Sequence, residues 1–229
     1  SGLTYSFLGK PNKVKSLYKE AAMGKPDETA EEMVQKLAKL PLVYQPGTRF
    51  EYGVSTDVLG RIIEIISGMP LDRFLEEKVL RPLQMEDSGF YVKADKLNRA
   101  AAGSKDPKTG NVFVYKDVTQ APKFLSGGGG MVSTTMDYTR FLQMLLNKGT
   151  LDGTRLISRK TVEYMTADHL GSMAGRNDPD YLAGIGNGFG LAFAVRLQNG
   201  VNRVSGTAGD YSWSGYAGGR GYMCADTLP

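Results

Sequence analysis

Apolar residues fall at helical spacing through most of the chain and change to a two-residue alternation near its end. Met33, Leu37 and Leu40 stand at i, i+4 and i+7, Glu31 and Glu32 occupy the first turns, and Pro41 follows, which predicts a helix over 28–40. The clearest periodic segment is 55–67. Ser55 is a natural N-cap there and Asp57 suits the positive helix start. Val58, Leu59, Ile62, Ile63, Ile65 and Ile66 make an apolar face broad enough to predict a buried helix. Gly68 and Pro70 end it and open another, 71–80, which stops before Pro82. A helix over 135–148 follows from Thr134 and Asp137 in capping spacing, with Phe141, Leu142, Leu145 and Leu146 on its buried side. Ser158 caps a further one over 159–166.

The rest reads as turns and strands. Gly9, Pro11, Gly24 and Pro26 break up residues 1–27, which predicts a loop. Pro46-Gly47 marks a turn, residues 100–123 are polar and turn-rich, and 107–110 predicts a turn within them. The run Ser126-Gly127-Gly128-Gly129-Gly130 predicts a loop that is flexible or closely approached by another part of the chain. Phe189 to Leu197 alternates as a strand does, and Tyr211 to Ala217 is a second strand. No internal repeat is visible. The pattern predicts an α+β chain, mainly helical over 1–185 and partly sheet over 186–229.

Composition narrows the chemistry. The 229 residues are 41% hydrophobic and 23% charged, ordinary values for a globular protein. The formal net charge is +4, but the basic residues are scattered. No basic stripe with interleaved aromatics suggests a nucleic-acid partner. Cys224 is the single cysteine, which excludes an intramolecular disulfide and a Cys-rich metal site. His169 is the single histidine. A multi-histidine zinc site is thereby excluded, and a Ser-His-Asp hydrolase would have to use His169 without any Gly-x-Ser-x-Gly elbow. His169 itself reads as a polar residue after a helix end. No apolar run reaches the ~18 residues of a membrane span, and no signal peptide is visible. Ser1-Gly2-Leu3-Thr4 does not look like a natural start, so the chain reads as beginning within a longer protein.

Tyr52 is the residue best placed for chemistry. It lies in Arg49-Phe50-Glu51-Tyr52-Gly53-Val54-Ser55, just ahead of the 55–67 helix. A side chain there is fixed by the helix start yet can face a cleft. A tyrosine acts as general base in its phenolate form, which nearby positive charge favours. Taken alone, a tyrosine before a helix is more often structural.

Gln45-Pro46-Gly47-Thr48-Arg49-Phe50-Glu51-Tyr52-Gly53-Val54-Ser55 and the Thr56-Asp57-Val58-Leu59-Gly60 after it resemble the catalytic-tyrosine segment of the β-lactamase-related serine hydrolases. That family includes class C β-lactamases and penicillin-binding-protein-like enzymes, and the segment is most similar to family VIII carboxylesterases. Four more stretches resemble the family in its own order: Ser1-Gly2-Leu3-Thr4, Arg81-Pro82-Leu83-Gln84-Met85, Ser126 to Thr134, and Gly209 to Gly218 with Trp213-Ser214-Gly215-Tyr216 inside it. The resemblance covers residue 1 to about 219. It implies a β-lactamase/transpeptidase-like fold, mostly the helical domain with a remnant of the antiparallel sheet. It gives Tyr52 the base role. It puts Trp213-Ser214-Gly215 where β-lactamases have Lys-Thr-Gly, and makes the backbone N–H of Tyr216 an oxyanion donor, worth on the order of 3 kcal/mol of barrier. It implies a small-molecule ester substrate and no metal or organic cofactor.

Two departures shape the expected substrate. Val54 stands where lactamases place an Asn that holds the substrate's amide side chain, and Trp213 replaces the Lys that would hold a β-lactam carboxylate. Both favour short-chain neutral carboxylic esters. The nucleophile motif, Ser-x-x-Lys, belongs well upstream of the tyrosine and is absent there. One match occurs, Ser16-Leu17-Tyr18-Lys19, about as many as chance supplies, and its Lys-rich setting is unlike a buried nucleophile helix. After Gly219 the chain departs from the family, leaving a sheet of two or three strands whose edges invite a second chain or a second copy. The alternatives are a catalytically silent remnant of such a hydrolase, and a β-lactamase or D-amino-acid peptidase.

Overall fold

The structure, a computed structural model, describes residues 1–229 apart from 102, 104, 113–116, 174, 177, 179–180, 203, 216–219 and 224–229. Among the described residues six α-helices follow in chain order: α1 Lys13–Glu20, α2 Ala30–Leu37, α3 Ser55–Ser67, α4 Leu71–Leu75, α5 Thr135–Leu146 and α6 Arg159–Met165. α4 continues as a π-helical turn, Glu76–Leu80, and Ala94–Arg99 is 3₁₀. A short hairpin, β1 Thr150–Leu151 with β2 Thr154–Arg155, links α5 to α6. The main sheet is antiparallel, in the order β3 Asn187–Phe189, β4 Ala194–Arg196, β5 Tyr211–Ser214, β6 Arg220–Met223. This is the expected α+β architecture, mainly helical with an antiparallel sheet toward the end of the chain.

Local chemistry sets the helix starts. Thr29 and Glu32 form a reciprocal capping box on α2. Thr134 accepts from the Asp137 N–H on α5, and Ser158 from the Thr161 N–H on α6.

Five expectations need correction. Residues 1–27 are not all loop: Asn12 caps α1 by accepting from the Lys15 N–H, and the helix buries Lys15 and Tyr18. Ser55 is not a cap. Val54 takes that position without a side-chain bond, and the Ser55 hydroxyl pairs with that of Ser1 at 2.7 Å. α3 is not buried all round, since Leu59, Ile62, Ile65 and Ile66 are exposed. The 189–197 strand is instead a hairpin, β3 and β4, joined through Gly190 and Ala192. The sheet has four strands among the described residues rather than two or three, because β6 pairs with β5 from Tyr211–Met223 to Ser214–Arg220. Ala217, the expected end of β5, lies outside the described residues.

Three apolar clusters hold these elements. The largest joins α5 to the sheet: Leu83, Met144, Leu145, Val162, Phe193, Val195, Tyr211 and Met223 are buried together. The second packs Tyr18 of α1 on Met33 and Leu37 of α2. The third gathers Tyr181, Ala183 and Ala194, with Phe50, Phe189 and Trp213 against them. Tyr52 lies two residues beyond Phe50, where the helical part meets the sheet.

Candidate active site

Tyr52 is half-buried in the turn that leads into α3. Gly53 explains how that turn fits. It is buried, and a Cβ on it would stand 2.4 Å from the Leu3 carbonyl oxygen and 2.5 Å from Thr4 Cα, so only glycine lets residues 1–5 lie against it. Thr4 Oγ1 donates to Glu51 Oε1 at 2.6 Å. Lys15 Nζ lies 3.3 Å from the same carboxylate oxygen and donates to the Leu8 carbonyl at 2.5 Å. Lys15 is buried to 7% exposure, so its charge is met by a neighbouring acid and a carbonyl rather than by water. These contacts clamp the N-terminal segment to the residue just before Tyr52.

A second clamp lies beyond Tyr52. Asp57, in the first turn of α3, is buried and accepts from Ser126 Oγ at 2.5 Å and from the Gly128 N–H at 3.1 Å. The glycine run is needed for close approach: a Cβ on Gly127 would sit 2.3 Å from the Thr56 carbonyl oxygen. The closely approached loop expected at 126–130 is thus seated on the start of α3.

Trp213 of β5 reaches Tyr52 from the sheet. Its Nε1–H donates to the Tyr52 hydroxyl oxygen at 3.4 Å, and the two rings lie 5.3 Å apart. Accepting that bond leaves the hydroxyl proton to point elsewhere. Trp213 is fixed edge-on against Phe189 at 5.1 Å, and Tyr5 also packs on Tyr52, at 5.5 Å. Tyr52, Trp213, Ser214 and Gly215 all line a cavity of about 410 Å³. Arg196 and Asp210 line it too, as a buried pair with Nε to Oδ2 at 3.8 Å.

The residues singled out from the sequence do not all meet here. Tyr52, Trp213, Ser214 and Gly215 do. Val54 does not line the cavity; it packs against the cluster of Tyr18, Met33 and Leu37. Tyr216 lies outside the described residues. Ser16 and Lys19 sit exposed on α1. His169 follows α6, its Nε2 2.7 Å from the Tyr164 carbonyl and its ring on Tyr164, as its reading as a polar residue after a helix end anticipates. Lys15, Glu51, Arg196 and Asp210 escaped the sequence reading. The partners in each pair are 36 or 14 residues apart, and no local spacing marks them.

A family profile described as beta-lactamase matches residues 3–227. The chain belongs to the beta-lactamase family. Protein Rv1367c of Mycobacterium tuberculosis is 37% identical over 228 residues, 95% of this chain and 55% of that protein. Lovastatin esterase of Penicillium rubens is 29% identical over 180 residues, 76% of this chain and 43% of that protein. Among solved structures, EstCE1, a hydrolase with promiscuous acyltransferase activity, superposes with a TM-score of 0.79 at 23% identity, covering 98% of this chain and 61% of that one. The LovD6 mutant of simvastatin synthase (LovD) from Aspergillus terreus gives 0.71 at 22% identity, over 98% of this chain and 55% of that one. At these identities the two structures establish the fold alone. The beta-lactamase family chain described here spans about half the length of the curated relatives it matches.

Proposed function

We propose that this chain is the tyrosine-bearing part of a serine hydrolase that cleaves carboxylic esters through an acyl-serine intermediate. One observation carries the reading: Tyr52, its hydroxyl accepting from Trp213, lines a cavity of about 410 Å³ together with Trp213-Ser214-Gly215. In the proposed reaction a serine hydroxyl attacks the ester carbonyl and gives its proton to the Tyr52 phenolate. The tetrahedral oxyanion is held by backbone N–H groups, that of Tyr216 among them. As the C–O bond breaks, Tyr52 returns the proton to the departing alkoxide. Water then clears the acyl-serine with Tyr52 again as base.

The serine and its lysine are proposed to come from outside these 229 residues, either from the rest of a longer protein or from a different chain docked on this one. The 55% share of Rv1367c that the chain spans supports this source. Ester substrates are favoured by Trp213, which stands where a lysine would hold a β-lactam carboxylate, and by the esterase among the relatives. The putative D-alanyl-D-alanine carboxypeptidase of Escherichia coli, 30% identical over 151 residues, keeps the peptidase reading in view.

The test is turnover of p-nitrophenyl acetate and butyrate by the complete protein, alongside its Tyr52→Phe variant. The expected result is an acyl-serine adduct by mass and a loss of at least 100-fold in kcat in the variant, the low end for a general base. Ester turnover unchanged in Tyr52→Phe, or nitrocefin hydrolysis exceeding that of esters, would sink the reading.

A further inference from the structure

We propose that Lys15, which does not line the cavity, is a positioning residue for Tyr52: it acts through Glu51 to hold the Tyr52 hydroxyl within reach of the Trp213 indole. The proposal rests on the reading of Tyr52 as the base of an ester hydrolase and adds the device that aims that base.

Both chain neighbours of Tyr52 are held by the same segment. On one side, Glu51 Oε1 accepts from Thr4 Oγ1 at 2.6 Å and faces Lys15 Nζ at 3.3 Å. On the other, Gly53 lies against the Leu3 carbonyl and Thr4 Cα, too close to admit a Cβ. Tyr5, next in the chain to Thr4, packs on the Tyr52 ring. Lys15 Nζ also donates to the Leu8 carbonyl at 2.5 Å, and Leu8 lines the cavity together with Tyr52. One ammonium group on α1 thus ties together the two stretches that meet at the base, residues 1–8 and the turn into α3.

Stability is a weak reason for this arrangement. Lys15 is 7% exposed, Thr4 is 0% exposed, and the Glu51 side chain is 15% exposed. Taking an ammonium and a carboxylate out of water costs much of what their attraction returns, and an apolar pair of similar volume is often as stable or more so. What the ion pair supplies and an apolar pair does not is direction, because Nζ must lie near the Leu8 carbonyl and the Glu51 carboxylate at once. With Glu51 and Leu8 on its ammonium, Lys15 is no substitute for the lysine of a Ser-x-x-Lys motif.

The bond that this device aims is sensitive to small movements. Trp213 Nε1 stands 3.4 Å from the Tyr52 hydroxyl oxygen. That is past the usual range of about 2.7–3.2 Å for an N–H donor to oxygen, so a slight recoil of the turn at Glu51 breaks the bond. Misplacing a catalytic group by about 1 Å through a change far from the chemistry costs on the order of 100-fold in rate. Loss of Lys15 should therefore register in the Trp213 indole and in kcat, while groups that only bind substrate stay where they are.

The test reads geometry and catalysis separately in the complete protein. Its tryptophans are labelled with nitrogen-15, and the indole N–H peak of Trp213 is assigned by its disappearance in Trp213→Phe. Tyr52→Phe, which removes the acceptor, marks where that peak falls once the bond is lost. Lys15→Met is expected to move the peak at least half of the way to the Tyr52→Phe position. It should also lower kcat for p-nitrophenyl butyrate about 10- to 100-fold with KM nearly unchanged. Lys36→Met is the control: it breaks another ion pair to a buried carboxylate, that of Glu28 at 2.6 Å, and is expected to change neither reading. Lys15→Met also leaves Glu51 without the cation it faces and loses stability by that route. Lys15→Met/Glu51→Leu removes the pair whole. It is expected to melt closer to the parent than Lys15→Met does, yet to keep the displaced indole peak and the lowered kcat, whereas a purely structural pair would recover all three together. An indole peak unmoved in the double variant, a peak moved as far by Lys36→Met, or a rise in KM with kcat kept would overturn the proposal. A complete protein that turns over no ester while its indole peak still follows Lys15 would count against the hydrolase reading alone.

Discussion

The face of α5 that meets the sheet and the outer face of α3 are built from the same kinds of residue at the same spacing, yet they end in opposite places. Leu145 of α5 is 0% exposed, packed with Met144, Val195, Tyr211 and Met223. Ile66 of α3 is 81% exposed and Ile65 is 65% exposed. Helical periodicity reports that a face is apolar. Whether the face is covered depends on which other elements are present to pack on it. On α5 the sheet supplies that cover. On α3, α2 and α4 with the glycine loop cover only the inner side, where Val58 joins the Tyr18 cluster and Gly60 meets Leu71 and Gly127.

The largest effect that would break this comparison is on the sheet side. Leu145→Ala should cost about 2–5 kcal/mol of unfolding free energy, the usual range for truncating a buried leucine whose surroundings cannot collapse. Ile65→Ala should fall within about 0.5 kcal/mol of the parent, as at exposed sites generally. Urea unfolding of the two variants measures the difference. Equal losses would mean that α3 is covered in solution and that its exposure is not a property of the isolated chain.

What could be read beforehand follows the same division. Helices whose signals are local were legible: Thr134 and Ser158 cap α5 and α6 within a turn of themselves, and the loop at 126–130 declared itself by its glycines. Tyr52, Trp213, Ser214 and Gly215 could be placed together because their neighbours in sequence resemble a family. Features that depend on distant partners were not legible. Ser55 has the chemistry of a cap, but its hydroxyl is taken by Ser1. Val54 looked like a substrate contact because of its position after Tyr52, yet packing turns it into the Tyr18 cluster. The β3–β4 alternation carries no sign of the hairpin, since Gly190 is needed there for its approach to the Met165 carbonyl, a contact made across the fold. Lys15 and Glu51 meet only once residues 1–5 have docked on Gly53.

Tyr211 gives a pH-dependent way to sharpen the contrast. Burial in the α5–sheet core pushes its phenol up to about 12 from the ordinary 10.0. The folded state therefore keeps the neutral form while the unfolded state ionises. The stability contributed is complete below pH 10 and is lost as pH rises from 10 toward 12. The Tyr211 hydroxyl has no hydrogen-bond partner among the described residues, so Tyr211→Phe should sit within about 1 kcal/mol of the parent at neutral pH or slightly above it. In denaturant titrations at pH 10 to 12 the parent should lose stability faster than the variant. Some loss persists in both, because burial raises Tyr181 to about 12 as well. Parallel curves would mean that water reaches the Tyr211 hydroxyl and that the α5–sheet core is less sealed than the α3 face is open.

The smallest expected effect on stability belongs to Ile66→Glu, and it is the most direct probe of the open face. At 81% exposure the isoleucine has little packing to lose, and the change should stay within about 0.5 kcal/mol in thermal unfolding. Glutamate is also a better helix former than isoleucine, although a negative charge in the last turn of α3 sits at the wrong end of the helix dipole. Those opposing contributions keep the net change near zero. Association is where the substitution should register. Leu59, Ile62, Ile65 and Ile66 offer apolar surface along a single helix, and a charge within it penalises any contact that would bury it. Sedimentation velocity over a concentration series should find the parent self-associating and Ile66→Glu shifted toward monomer, with helix content unchanged by circular dichroism. A variant that loses helix content, or a parent that stays monomeric at every concentration, would remove the outer face of α3 as the counterpart to the sealed face of α5.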